Sequence, residues 1–173
     1  MKLYKAKIPS IAKTVIESLV KEGAIEVAPE NRAEAEMDLV AIMEEFLRRD
    51  NEVRENVREQ MSRGAVPYDQ YGKIRTQVAE RTGHPTGDDV QRFFARQFME
   101  NFMISRFVDE VYADDKDLYK RIRELVEQHD VDERALRAEA QEQIKNVHEG
   151  TVDYELALSK AMRDVKKRHG LLT

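Results

Sequence analysis

Apolar residues at positions 8, 11, 12, 15, 16, 19 and 20 fall on one side of a 3.6-residue spiral, which predicts a helix from Ile8 to Glu22 that Gly23 stops. Pro29 suits a first helical turn, where its missing donor costs nothing, and Glu30 and Glu34 then complement the positive end of a helix reaching about Arg48. Asp50 is the predicted N-cap of a third helix to about Met61. A loop over Ser62 to Pro67 precedes a fourth helix ending at Gly83. The second half repeats this rhythm with predicted helices near Asp89 to Ala113, Asp115 to Gln128, Asp132 to Val147 and Asp153 to His169. Asp132 and Asp153 are placed as caps. Arg163, Lys166, Lys167 and Arg168 close the last helix where positive charge opposes the dipole's negative end.

The rhythm repeats in detail. With Ile8 to Val20 set over Gln91 to Met103, residues Ile11, Ala12, Val15, Ile16, Leu19 and Val20 face Phe94, Ala95, Phe98, Met99, Phe102 and Met103. Leu39, Ile42 and Met43 then match Ile122, Leu125 and Val126, and Val53, Val57 and Met61 match Leu136, Ala140 and Ile144. The most specific echo is Gly64-Ala-Val-Pro-Tyr68 against Gly150-Thr-Val-Asp-Tyr154. This pattern predicts an all-α protein, a helical bundle of two tandem, diverged four-helix units packed together. Residues 1–83 form the first unit and 84–173 the second, joined by a short Gly- and Pro-bearing linker at about 83–88.

The two predicted opening helices differ in bulk. Five of the six phenylalanines, Phe93, Phe94, Phe98, Phe102 and Phe107, lie on the second, and they point in several directions around it. A helix apolar nearly all round is normally buried, so the first expectation is a central helix packed by both units. The second is that part of this surface, at these five residues, is an interface for a protein partner or for self-association.

Composition narrows the classes. Charged residues make up 36% of the 173, and mean hydropathy is −0.68, values that fit long helices with wide solvated faces. A formal net charge of −5 lacks the basic excess that drives nonspecific nucleic-acid binding. Even so, Arg48, Arg49, Arg54 and Arg58 cluster in the first half and are the candidate contacts of an alternative reading, a factor that binds RNA or DNA through an arginine-rich helical face. Glu52, Glu55 and Glu59 interrupt them. The absence of cysteine excludes disulfides, thiolate catalysis and cysteine zinc sites. No apolar run long enough for a signal peptide or membrane span occurs, so a cytoplasmic protein without a membrane partner is expected.

Chemistry-bearing motifs are sparse. His84, His129, His148 and His169 fall at predicted helix ends or loops, form no helical metal pair and are expected to be solvated. Asp114, Asp115 and Asp117 lack the glycine turn and terminal Glu of a calcium loop and read as helix-capping residues. No phosphate-cradling glycine loop or nucleophile elbow is present, so no catalytic, metal or cofactor residues are assigned and the chain is expected not to be an enzyme.

The stretches KIPSIAKTVIESLVKEGAIEV (7–27), ENRAEAEMDLVAIMEEFL (30–47) and PYDQYGKIRTQVAERTG (67–83) resemble the bacterial domain-of-unknown-function family 507. The resemblance extends over essentially the whole chain. Shorter members of that family look like the second unit, including the turn at His148-Glu149-Gly150-Thr151. What it implies is a bacterial, cytoplasmic, helical protein with no assigned activity, and it brings no catalytic residues. Together these readings favour a noncatalytic protein-interaction or scaffolding module, with nucleic-acid association as the alternative.

Overall fold

A computed structural model describes residues 1–172 of the chain. The apolar stripe that begins at Ile8 forms α1 (Ile8–Lys21), with Pro9 in its first turn and Gly23 just past its end at φ +71°. A two-residue strand, β1 (Ile25–Glu26), leads to α2 (Arg32–Gly64), and α3 (Tyr71–Thr82) completes the first half. The second half contains α4 (Asp89–Ile104), β2 (Glu110–Val111), α5 (Asp115–Glu127), α6 (Glu133–Gln143) and α7 (Val152–Arg168). The fold is thus almost wholly helical.

Two expected boundaries are corrected. Helix α2 runs unbroken for 33 residues, about 50 Å at the usual rise, where two helices separated near Asp50 were expected. No Gly or Pro interrupts positions 32–63, and the Asp50 carboxylate is held by side chains of α2, α3 and the following loop, so it caps no backbone. Helix α4 ends at Ile104, short of the expected Ala113. Beyond it Ser105 turns extended and donates from Oγ to Asp38 Oδ2 at 2.6 Å, and Val111 and Glu110 pair antiparallel with Ile25 and Glu26. That pairing satisfies backbone groups that a continued helix would otherwise have used, and the β-branched Val108 and Val111 favour it.

Caps follow the acidic signals in part. Asp114 accepts from Asp117 N at 3.0 Å, and Asp132 from Arg134 N and Ala135 N, both at 3.0 Å. At α7, Thr151 is the cap in place of Asp153, accepting from Tyr154 N at 3.1 Å, while Asp153 sits in the first turn near the positive end of the dipole.

Three apolar clusters result. The largest joins α1, the first half of α2, α4 and α5, with Val15, Leu19, Leu39, Met43, Phe94, Phe98 and Ile122 all fully buried. A second, smaller cluster holds the rest of α2 to α3 through Val53, Val57, Ile74 and Val78. The third holds α6 to α7 through Leu136, Ala140, Leu158 and Val165, with Tyr4 from the start of the chain inserted into it. A central four-helix body therefore draws on both halves of the sequence and carries two helical hairpins. Each fully buried Leu or Phe contributes roughly 1.5–3 kcal/mol, so most of the stability resides in the body.

Candidate functional site

A carboxylate within the buried stripe of a helix is unfavourable unless cations and donors surround it. Asp50 lies on the stripe that includes Phe46, Val53 and Val57, and its side chain is 6% exposed. Arg54, one turn along α2, donates from Nη2 to Oδ2 at 2.5 Å. Arg75 of α3 donates from Nη2 to Oδ1 at 2.9 Å, and Nε2 of His84 lies 3.2 Å from the same oxygen. A carboxylate only accepts, so the His84 ring nitrogen is the donor in that bond. Both oxygens of Asp50 are thus occupied, and one residue fastens α2, α3 and the loop that follows.

His84 is itself buried, which corrects the expectation of a solvated histidine. Its ring stacks on Phe46 with centroids 4.7 Å apart, and its backbone N–H donates to Ala79 O at 2.9 Å. Burial pushes the imidazole below its ordinary pKa. Asp50 works in the opposite direction, and Arg75 and Arg49 add to the lowering. His129 is half-buried with Nε2 3.0 Å from Thr14 Oγ1, and His169 meets Glu139 at 2.8 Å.

Beside Asp50 opens a cavity of about 330 Å³ between α2, α3, the first residues of the chain and the loop 85–87. Lys2, Arg54, Arg75 and the Met1 ammonium supply its positive charge and Asp50 its negative charge, and Phe46, Leu47 and Tyr71 form part of its apolar wall. Lys2 is exposed as a whole residue. Its ammonium is nonetheless held below the ordinary lysine pKa by lost hydration, with Glu133 opposing and Lys166 and Arg54 reinforcing. At the turn end of the α2–α3 hairpin a shallower cleft, also about 330 Å³, is lined by Arg58, Met61, Tyr68 and Tyr71.

The residues singled out from the sequence are distributed differently from their run along the chain. Phe94, Phe98 and Phe102 are buried in the central body, with Phe94 stacked against Phe98 at 5.7 Å, so in this fold they present no surface to a partner. Phe93 and Phe107 are half-buried at its margin. Arg48 pairs with Glu45 at 2.7 Å and with Glu52, Arg49 pairs with Glu45 at 2.8 Å, and Arg54 turns inward to Asp50. The hydrogen bonds from Arg48 and Arg49 hold the Glu45 carboxyl down to about 2. Arg58 stands apart in the hairpin cleft. The four arginines therefore form no single positive face.

Asp50, Arg75 and His84 did not stand out as a site from sequence. Part of the signal was available, because Phe46, Asp50, Val53 and Val57 recur at helical spacing and put the acid among apolar neighbours, with Arg54 one turn away. Nothing local announces that Arg75 and His84 converge on it. Among the described residues, no group of three His, Cys, Asp or Glu side chains is placed to hold a metal ion, and no helix is long and apolar enough to cross a membrane.

No match is found among curated proteins. The sequence profile described as "Protein of unknown function (DUF507)" matches residues 1–171 of the 173, in keeping with the resemblance noted above, and the chain belongs to that family.

Proposed function

We propose that the chain is a noncatalytic protein-interaction module that engages an acidic segment of a partner protein, bearing apolar side chains, at the turn end of the α2–α3 hairpin. The supporting observation is the exposure of Tyr68. The residue is 82% exposed, and its ring stacks on Tyr71 at 5.7 Å between centroids and stands beside Met61 and Arg58. Tyr, Met and Arg are enriched at protein interfaces, and burying a tyrosine on a partner removes a large apolar area from water at little rotamer cost. Arg58 supplies a cation for a partner carboxylate.

A duplication, with units 1–83 and 84–173, adds to this reading. The order apolar helix, short strand, then further helices recurs in both halves, and α2 takes the place of α5 and α6 together. Tyr68 and Tyr154 hold the same place in the Gly-x-Val-x-Tyr echo. Tyr154 is 7% exposed and packs in its own hairpin, where Gln141 Nε2 donates to its hydroxyl at 3.3 Å. Its counterpart has left the core, which makes the first hairpin the arm available for a partner.

The test is a photo-crosslinking residue at position 68, with exposed Glu44 on the central body as control. We expect an adduct from position 68 alone. The purified adduct partner should then bind Tyr68→Ala and Arg58→Glu at least about tenfold more weakly than the unaltered chain. Equal adducts at both positions, none at 68, or unchanged affinities would sink the proposal.

A further inference from the structure

We propose that the cavity beside Asp50 is a binding site for the phosphate group of a small phosphorylated molecule, held by Arg54, Arg75 and Lys2.

The charge count is the first argument. One cation suffices to neutralise a buried carboxylate, yet Asp50 has two guanidiniums on it and Lys2 stands across the cavity as a third cation. Widening the shell brings in Lys166 with Glu133 at 3.5 Å and the Met1 ammonium with Asp130 at 3.8 Å, so five cations surround three carboxylates. In a chain of net charge −5 this is a local inversion of sign, and an excess of about two charges matches a phosphomonoester dianion better than a single carboxylate. Lost hydration depresses the Lys2 ammonium, with Lys166 and Arg54 adding to the lowering, and an anion entering the cavity opposes both effects.

Geometry is the second. Asp50 engages only Nη2 of Arg54 and Nη2 of Arg75, one nitrogen of each planar fork. Among the described residues neither guanidinium makes another side-chain hydrogen bond, which leaves Nε and Nη1 of both as donors beside the cavity. A buried carboxylate that fixes two arginines from different helices pre-organises them for bidentate oxyanion recognition at little further entropic cost. The side chains are 37% and 33% exposed, so the donors are reachable from solvent.

Size is the third. A cavity of about 330 Å³ exceeds a bare phosphate and lies at the small end of ligand pockets. Phe46, Leu47, Tyr71 and Val90 provide an apolar wall for the uncharged part of the ligand, and Thr86 a hydroxyl. This site lies where the α2–α3 hairpin meets the body; it shares the Tyr71 side with the Tyr68 cleft but differs from it in chemistry, and does not rest on the partner proposed there.

The experiment is calorimetric titration of the full chain at low salt with ribose 5-phosphate, ribose, inorganic phosphate and acetate as probes. Ribose 5-phosphate is expected to bind with a dissociation constant on the order of 1 mM or tighter, and ribose and acetate at least about tenfold more weakly. Inorganic phosphate binding as tightly as the sugar phosphate would make the free anion the ligand and keep the phosphate site. Arg75→Gln should weaken binding by about tenfold. Because that change also disturbs Asp50, Lys2→Gln is the second variant; it leaves the Asp50 ion pairs in place and should weaken binding severalfold in a chain that still unfolds cooperatively. The surface change Arg163→Gln should alter nothing. Absence of phosphate binding, acetate binding as tight as phosphate, or affinity insensitive to both Arg75→Gln and Lys2→Gln would overturn the site.

Discussion

The Tyr4 hydroxyl donates to the carboxylate of Glu133, 129 residues further along the chain. Its ring is buried in the α6–α7 cluster, with Lys166 Nζ 5.4 Å from the centroid, while the neighbouring Leu3 is buried in the central body. Two adjacent residues thus belong to two different cores, and this short segment is what pins the second hairpin to the body. Tyr4→Ala should remove about 3 kcal/mol of hairpin stability, as for other large-to-small core changes. Its signature is regional: amides of α6 and α7 should exchange faster while those of α1, α4 and α5 keep their protection. Tyr4→Phe, which loses only the hydroxyl bond, should cost about 1 kcal/mol. Uniform loss of protection over all helices would show that the hairpin is not pinned through Tyr4.

Asp50 ties the long α2 to α3 and to the loop at His84, and removing it strands two arginine donors and a histidine. Breaking a fully buried ion pair costs about 3–5 kcal/mol, but Arg54 and Arg75 reach solvent and can rehydrate, so Asp50→Ala should cost about 2 kcal/mol. Urea unfolding measures this. The double variant Asp50→Leu with Arg75→Leu should recover part of the loss, since an apolar pair of similar bulk removes one of the two stranded guanidiniums and leaves only Arg54, which reaches solvent. A double variant as unstable as the sum of the two single changes would argue against direct coupling.

His84 makes stability depend on pH in a stated direction. Its folded pKa is lowered from 6.5, chiefly by burial, so between the folded value and 6.5 the unfolded chain binds more protons than the folded one. The contribution is fully present above 6.5 and declines as pH falls through that window. His129, lowered by burial and by Lys7, adds a slope of the same sign. Melting temperature should therefore drop between about pH 7.5 and about pH 5.5, and His84→Gln should flatten the drop without abolishing it. A slope unchanged in that variant would remove His84 from the account.

What the sequence could convey follows from range. The α1 stripe, the Asp114 and Asp132 caps and the linker glycine at 83, with φ +65°, are local devices, and each was readable from spacing or residue type. The Phe-rich helix was expected first as a buried centre, and Phe94 and Phe98 lie there. The misreadings have nonlocal causes. Asp50 looks like a cap until Arg75 and His84 are known to converge on it from 25 and 34 residues away. The segment 107–111 looks helical until β1, far back in the chain, supplies a partner for its backbone. The arginine run reads as a face because its carboxylate partners, Glu45 before it and Asp50 and Glu52 within it, are matched only through side-chain direction.

Ala65 ends α2 in the left-handed region at φ 47°, the only described non-glycine residue with positive φ. The conformation is held by Ala65 N donating to Ser62 O and Val66 N to Met61 O at 3.1 Å, bonds that satisfy the last carbonyls of the helix. An alanine Cβ crowds its own carbonyl there, at a cost of about 1–2 kcal/mol that glycine does not bear. Glycine at the same place has more freedom to lose on folding, which offsets part of the gain. Ala65→Gly should therefore stabilise the chain by about 0.5–1 kcal/mol, with the increment appearing in the α2–α3 hairpin, whose cluster of Val53, Val57, Ile74, Val78 and Ala79 is small. Ala65→Val, β-branched and worse in the left-handed region, should lose at least that much. If hydrogen exchange in α3 is slower in the glycine variant and faster in the valine one, the strained cap limits the hairpin. Indifference to both changes would mean that Tyr71 and Ile74 alone set the stability of that arm.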